Sequence, residues 1–259
     1  MPFTQALLYY VPTFVLGLII VTVFIVISVS GLLIVRQFVP HHRLKIHNDV
    51  AGPIFETLGM TYAVLLAFVV VIAWQSFDKS DSNVQKEANS IMDIYRDSTA
   101  FPKTFRDEIR PLIKEYTDAV INEEWQMLAR GEQSQRAHEL LKKIWVMYSS
   151  YEPNTENEKI FFAESVHKLN EAGELRRLRI MDSRTGIHPI LWFVLIVGGI
   201  TTIIFTFFFG TENLTAQVMM AAMLAMVIAL ILFTVLLLDF PFTGGLNITS
   251  DAFKQIAHF

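Results

Sequence analysis

Residues 53–75 of this 259-residue chain read PIFETLGMTYAVLLAFVVVIAWQ, an apolar run with a single charged side chain, that of Glu56. A helix rises about 1.5 Å per residue and the hydrocarbon core of a bilayer is about 30 Å thick, so a run of this length can cross a membrane. Three further runs, at residues 12–35, 189–209 and 215–238, carry no charge at all. The sequence therefore predicts four transmembrane helices.

Most of the charge lies in one segment between the second and third runs. Of the 21 basic and 25 acidic residues, all but nine fall within residues 77–187. Apolar residues there recur at three- and four-residue steps, as at Ile109, Ile113 and Tyr116, which is typical of amphipathic helices. We expect the first helix of this segment to continue the second span without a break. The predicted helices cover about residues 76–100, 103–130, 132–150 and 155–184.

These patterns predict an all-α, polytopic membrane protein with four transmembrane helices and a helical domain inserted between the second and third. Six lysines and arginines near the span ends on the domain side, against three in the loop after the first span, favour a cytosolic domain. The predicted parts are a first transmembrane hairpin (1–75), the helical soluble domain (76–188), a second hairpin (189–238) and a C-terminal tail (239–259). Aromatic, proline and glycine residues at 240–245 predict a tight turn that packs the tail against the domain.

The composition and the absence of several motifs disfavour a number of functional classes. The chain has no cysteine, which removes thiolate chemistry and cysteine-ligated metals and fits a bacterial inner membrane. A net charge of -4 does not indicate binding to nucleic acid, which favours basic proteins. No glycine-rich phosphate loop, nucleophile elbow or HExxH pair occurs. We therefore expect a multi-pass protein of the cell membrane that is not an enzyme and holds no cofactor.

Two groups of residues with carboxylate or amide side chains do not by themselves predict a functional site. Glu123 and Glu124 are adjacent and would point in different directions on a helix, so we interpret them as part of a solvated face. Asp239, Asn247 and Asp251 offer oxygen ligands, but their spacing alone does not make a calcium site. No metal site is predicted.

The second span carries a distinct set of residues on one helical face: Thr57, Thr61, Val64, Phe68 and Gln75. Polar ends and an apolar middle suit a water-accessible path with a hydrophobic constriction that gates by dewetting. The alternative is a helix interface in which the two threonines bond across to neighbouring helices. The sequence leaves both interpretations open.

Glu56 is the one acid within a predicted span. Acids inside spans usually mark ion or proton paths, and a ring of acids at a pore mouth would concentrate cations. Glu56 also lies three residues after Pro53, in the first helical turn, where the helix dipole favours an anion. It is therefore either an ion-binding or selectivity residue or a structural one.

Basic and small residues near the other spans suggest packing and membrane contact. We interpret Arg176, Arg177 and Arg179 as a positive anchor at the membrane surface, with attraction of anions as the alternative. The histidine-containing loop at residues 41–47 is expected to contact phospholipid headgroups. Gly198 and Gly199 predict close helix packing in the third span.

The order of spans, domain and tail resembles the bestrophins, and the sequence is more specifically similar to the bestrophin-like membrane proteins of bacteria. The resemblance covers nearly the whole chain. It is carried by Asn48–Gly52 leading into Gly59–Val71, by Glu87-Ala88, Tyr95-Arg96, Tyr116, Glu124-Trp125, Arg176-Arg177 and Arg179, and by Trp192, Leu238–Phe242 and Gly244.

The resemblance implies a pentameric channel whose pore is lined by the second span and narrows at an apolar neck. Val64 and Phe68 match the neck pattern. Bestrophins follow a proline-phenylalanine-glycine turn with an acidic run that helps to bind calcium. Pro241, Phe242 and Gly244 echo the turn, with Thr243 inserted, but the acidic run is missing.

Three hypotheses for function follow. The first is a homo-oligomeric ion channel. Four spans with few buried charges cannot easily enclose a pore within one chain, so we expect a pore on the symmetry axis between several copies. Its partners would be further copies of the chain, membrane lipids and inorganic ions. The second is a proton-driven energiser complex that uses Glu56. The third is a membrane-anchored scaffold whose cytosolic bundle binds another protein.

Overall fold

The computed structural model describes residues 2–258, except for the side chain of His41, and every regular element in that range is a helix. The all-α prediction is confirmed. The α-helices are α1 (Phe3–Tyr10), α2 (Thr13–Phe38), α3 (His41–Lys45), α4 (Asn48–Asp97), α5 (Lys103–Ala119), α6 (Trp125–Leu128), α7 (Gln135–Ser149), α8 (Glu156–Asp182), α9 (Pro189–Phe205), α10 (Leu214–Asp239) and α11 (Asp251–Ile256). Short 3-10 turns follow α4 and α9, and a π-helical turn, Val120–Glu124, joins α5 to α6.

The described chain divides into two compact units. The membrane unit comprises residues 10–75 and 186–239, and the helical domain comprises residues 2–9, 76–185 and 240–258. Four helices are long and apolar enough to cross a membrane: α2, α4, α9 with its 3-10 turn, and α10. The prediction of four membrane-spanning helices is therefore confirmed.

Helix α4 is a single element of 50 residues. The predicted continuation of the second span beyond Gln75 is confirmed, but the helix begins at Asn48 and not at Pro53. The Asn48 amide donates to the Gly210 carbonyl at 2.9 Å and accepts from the Gly210 N–H at 3.0 Å, which fixes the start of the helix. Pro53 lies inside this helix, and its missing N–H leaves the carbonyl four residues earlier without its helical partner.

Helix α10 is the central element of the membrane unit. Of its most apolar window, 44% is buried, against 22% for α4 and 11% for α2. Helix α2 packs along α10, where the Ser28 hydroxyl donates to the Ala221 carbonyl at 3.2 Å and Leu32 is fully buried. Most of the apolar part of α4 is therefore uncovered within one chain.

Helices α4 and α9 approach each other closely at two glycines. A Cβ atom at Gly198 would lie 2.6 Å from two ring carbons of Tyr62, and one at Gly199 would lie 2.8 Å from the Tyr62 hydroxyl oxygen. That hydroxyl donates to the Leu195 carbonyl at 2.9 Å. The packing role predicted for these glycines is confirmed, and it fixes which side of α4 faces its own chain.

The core of the helical domain forms from the amphipathic stripes of α5, α7 and α8, with Ile109, Ile144 and Leu169 fully buried. Two of these helices begin at side-chain caps. The Ser134 hydroxyl accepts from the Ala137 N–H at 3.2 Å, and the Thr155 hydroxyl accepts from the Glu158 N–H at 3.1 Å. Such caps satisfy amide groups that the first helical turn leaves without partners.

The C-terminal tail folds back into the helical domain, as the composition of residues 240–245 predicts. Gly244 has a φ of 87°, a left-handed conformation that glycine adopts without steric cost. The Ile248 N–H then donates to the Pro241 carbonyl at 2.7 Å. Phe242 and Phe253 are buried in the domain core, so the tail is part of that core.

Replacement of Gly198 by alanine should destabilise the membrane unit. The added Cβ would force Tyr62 away from α9 at a cost of about 1–3 kcal/mol, which outweighs the gain in helix propensity of at most about 1 kcal/mol. Thermal unfolding in detergent should show a lower midpoint than the wild type. Gly59→Ala is the matched control, because no atom lies within 4 Å of a Cβ at Gly59. Equal midpoints for the two variants would contradict the packing described above.

Candidate functional site

The predicted pore residues all lie on the uncovered side of α4. Thr57, Thr61, Val64, Phe68 and Gln75 are each exposed in the single chain. At about 100° per residue they fall within an arc of about 60°, and at about 1.5 Å per residue they extend over about 27 Å, close to the thickness of the hydrocarbon core. We call these five residues the α4 face.

The opposite side of α4 is packed within its own chain. Tyr62, Leu66 and Val69 are buried in the core of the membrane unit with residues of α9 and α10. This packing turns the α4 face away from the core. Phe68, 65% exposed, therefore projects an aromatic ring from the outer surface of the single chain.

The two threonine hydroxyls of the α4 face bond to their own helix. Thr57 donates to the Pro53 carbonyl at 3.0 Å, and Thr61 donates to the Thr57 carbonyl at 2.8 Å. The alternative interpretation required these hydroxyls to bond across to a neighbouring helix, and within one chain they do not. Their oxygen atoms keep acceptor capacity on the exposed surface, which suits contact with water.

Glu56 lies beside the α4 face and not on it. Its side chain is exposed, and it precedes Thr57 by one residue, so the two side chains point about 100° apart. A groove of about 780 Å³ lies on the other flank of the face, between α4 and α9, and Thr57, Thr61 and Tyr62 are among its lining residues. The face is therefore bordered by an acidic side chain on one flank and an apolar groove on the other.

The helical domain contains a buried cluster of two acids and two arginines. Arg179 on α8 donates to Glu87 at 2.7 and 2.9 Å and to Glu124 at 2.9 Å. Arg176, one turn earlier, donates through Nε to Glu124 at 3.1 Å. All four side chains are almost completely buried. The cluster is electrically neutral, which is the condition under which such charges tolerate burial.

The electrostatics of the cluster follow from this pairing. Burial alone would raise the pKa of Glu124, but the attraction of Arg179 and the hydrogen bonds from Arg176 outweigh it and hold the pKa below its usual value. Tyr116 donates to Glu87 at 3.2 Å, and burial raises the pKa of its phenol well above the ordinary value. The tyrosine therefore stays protonated and keeps donating.

The same arginine also holds the C-terminal tail. The Arg179 guanidinium lies 5.1 Å from the centre of the Trp125 ring and 5.6 Å from that of Phe253, within the range of cation–π attraction. The Trp125 indole donates to the Ile248 carbonyl at 3.1 Å. One buried cation therefore links α4, the π-helical turn, α8 and α11.

Two sequence interpretations are wrong here. Arg176 and Arg179 do not form a positive anchor at a membrane surface, because both are buried in ion pairs, and only Arg177 is exposed. Glu124 does not belong to a solvated face, because it is completely buried. The signal was present in the sequence: Glu124 follows Tyr116 and Val120 at four-residue steps, and Arg176 and Arg179 continue the stripe of Leu169 and Ala172.

The three oxygen-bearing side chains near the tail, those of Asp239, Asn247 and Asp251, make hydrogen bonds within the protein. Asp239 accepts from the Ile187 N–H and, at 3.1 Å, from the Trp192 indole, so it ties the start of α9 to the end of α10. Asp251 bonds to Thr249 and Lys254 within its own helix turn. Across residues 2–258, no group of three or more histidines or acids is placed to hold a metal ion.

The sequence model of the family named bestrophin-like domain matches residues 22–253 of the chain. The chain belongs to the bestrophin-like family. No curated protein matches the sequence. The matched range of this bestrophin-like chain includes all of the α4 face and all four members of the buried charge cluster.

Solved structures of a bacterial bestrophin homologue from Klebsiella pneumoniae share the fold. One single-substitution variant gives a TM-score of 0.68 at 11% identity, covering 92% of this bestrophin-like chain and 98% of the homologue. A second variant gives a TM-score of 0.65 at 10% identity, with coverage of 92% and 96%. At this identity the likeness concerns the fold alone.

Loss of the central cation of the cluster should destabilise the helical domain. Arg179→Met leaves Glu87 and Glu124 without their shared partner, and removal of one member of a buried ion pair costs about 3–5 kcal/mol. Thermal unfolding, followed by tryptophan fluorescence in detergent, should show a clearly lower midpoint. Arg177→Met removes an exposed arginine two residues away and should change the free energy of unfolding by about 0.5 kcal/mol or less. Similar midpoints for both variants would show that the cluster adds little to stability.

Proposed function

We propose that this protein is an ion channel of the cell membrane, formed by several copies of the chain, with a pore lined by the α4 faces of the subunits. Thr57, Thr61 and Gln75 form the wetter ends of the path, and Val64 and Phe68 form an apolar neck. The observation that carries the proposal is the α4 face itself. It is uncovered in the single chain, polar at its ends and apolar in the middle.

The membrane unit supports an assembly of several copies. Its other three spans share one core with α10, and only 22% of the apolar window of α4 is buried. Polar side chains that face hydrocarbon are costly, whereas the same side chains on a symmetry axis contact water and ions. The resemblance to bestrophins implies five copies, and we adopt a pentamer in the proposal.

The neck acts by dewetting. Rings of Val64 and Phe68 side chains around an axis would form a narrow apolar passage from which water withdraws, so that conduction requires the passage to widen. The polar ends keep water on either side of it. The remaining exposed surfaces of the spans contact lipids, and the proposed location is the bacterial inner membrane with the helical domain in the cytosol.

Phe68→Ala should raise the open fraction of the channel several-fold, because it removes the largest apolar group of the neck. The purified protein is reconstituted in planar bilayers, and single-channel currents are recorded in symmetric salt. Phe193→Ala is the matched control, since Phe193 on α9 is 62% exposed, much like Phe68, but lies on a different span. Silence of the wild type across different ions, voltages and pH values would refute the channel, and equal gains for both variants would refute the neck.

Glu56→Gln should change ion selectivity without abolishing conduction. Glu56 lies beside the first polar residue of the face, where its charge raises the local concentration of cations. Under a salt gradient, the reversal potential of the variant should shift towards anion preference, while Glu56→Asp should keep that of the wild type. Complete loss of conduction in Glu56→Gln, with conduction retained in Glu56→Asp, would instead favour a proton-driven energiser.

A further inference from the structure

A second cavity lies in the membrane unit, where three of its helices begin or end on the same side. It has a volume of about 460 Å³ and is bounded by the first turns of α4, the segment that follows α9 and the first three turns of α10. It shares no lining residue with the α4 face. We call it the interfacial cavity, because it lies at the ends of spans.

The walls of the interfacial cavity change from polar to apolar along its depth. Asn48, Thr211 and Gln217 lie near the loop end, whereas Met220 and Leu224 lie further along α10. From Gln217 to Leu224 the helix advances about 10 Å, which leads from the span end into the hydrocarbon region. This polarity gradient matches that of an amphipathic molecule lying along the bilayer normal.

The walls are fixed by specific contacts. The reciprocal hydrogen bonds between Asn48 and Gly210 hold the loop against α4. The rings of Phe55 and Phe209 meet edge to face at 5.5 Å. The Gln217 side-chain amide donates to the Phe209 carbonyl at 2.7 Å. The cavity is therefore built by three segments that brace one another.

A buried polar atom in the cavity wall lacks a partner within the described chain. Gln217 lines the cavity and is only 4% exposed, and its side-chain oxygen has no hydrogen-bond donor. An unmade hydrogen bond at a buried group costs about 1–3 kcal/mol, so this oxygen calls for a ligand that offers a donor.

We propose that the interfacial cavity binds one phospholipid whose headgroup carries a hydrogen-bond donor. An acyl chain lies along Phe55, Met220 and Leu224, and the headgroup donor bonds to the Gln217 oxygen. A hydroxyl headgroup (phosphatidylglycerol) and an ammonium headgroup (phosphatidylethanolamine) share this chemistry, and phosphatidylcholine lacks the donor. The proposal does not depend on ion conduction.

Native mass spectrometry of the purified protein tests the site. The protein is exchanged from vesicles of phosphatidylglycerol into mild detergent, and the lipids retained per chain are counted. Met220→Trp fills the cavity and should lower the fraction of chains with a retained lipid at least about fivefold. Met219→Trp is the matched control, because Met219 is the neighbouring residue, 59% exposed against 60% for Met220, and does not line the cavity. Equal retention by the two variants would overturn the proposal.

Competition between lipids with different headgroups tests the polar end of the interfacial cavity. The first measurement uses the wild-type protein. With equimolar phosphatidylglycerol and phosphatidylcholine, the wild type should retain the former about fivefold more, which corresponds to one net hydrogen bond. A second mixture with phosphatidylethanolamine in place of phosphatidylglycerol separates the hydroxyl from the ammonium donor. Gln217→Leu should abolish either preference. No preference in the wild type, or an unchanged preference in Gln217→Leu, would overturn the assignment of the Gln217 oxygen.

Discussion

The structure depends on one constraint, namely that hydrocarbon offers no hydrogen bonds to an exposed peptide group. Each of the four apolar runs must therefore satisfy its backbone within itself, and all four are helices. The same constraint acts on side chains. Thr57, Thr61, Thr202 and Thr234 each donate to a carbonyl four residues earlier in their own helix, so the hydroxyl hydrogens of these four residues are paired.

Helix α4 differs from α2 because its uncovered side includes an acid. Exposed residues of α2 are the apolar Phe14, Leu18 and Ile27, among others, and the uncharged polar Thr22, Ser30 and Gln37. On α4, the exposed set includes Glu56, Gln75 and two threonines. We therefore propose that this uncovered, partly polar side of α4 lines a water-filled axis between several copies of the chain.

The helical domain differs from the membrane unit because it buries a set of paired charges beside its apolar core. A neutral set of two glutamates and two arginines costs more to assemble than an apolar core of the same volume, but its geometry is directional. Arg179 contacts Glu87, Glu124, Trp125 and Phe253 at the same time, and its planar guanidinium holds its donors in fixed directions. We infer that the cluster sets the register between α8, the π-helical turn and the tail.

Length and hydropathy alone determined the four spans, because the energetic cost of charge in hydrocarbon leaves a signal in composition. Helical periodicity likewise determined the helices of the domain and the continuity of α4, since no breaking residue separates Gln75 from Ser76. Only the tertiary structure decided which partners the charges have. Helical periodicity places Arg176, Arg179 and Glu124 on buried stripes of their own helices. The packing of α8 against α4 and the π-helical turn then brings Arg179 to Glu87 and Glu124. The interfacial cavity is lined by two segments that lie far apart along the chain, one with Asn48 and Phe55 and the other with Phe209 and Gln217, so no local pattern could have predicted it.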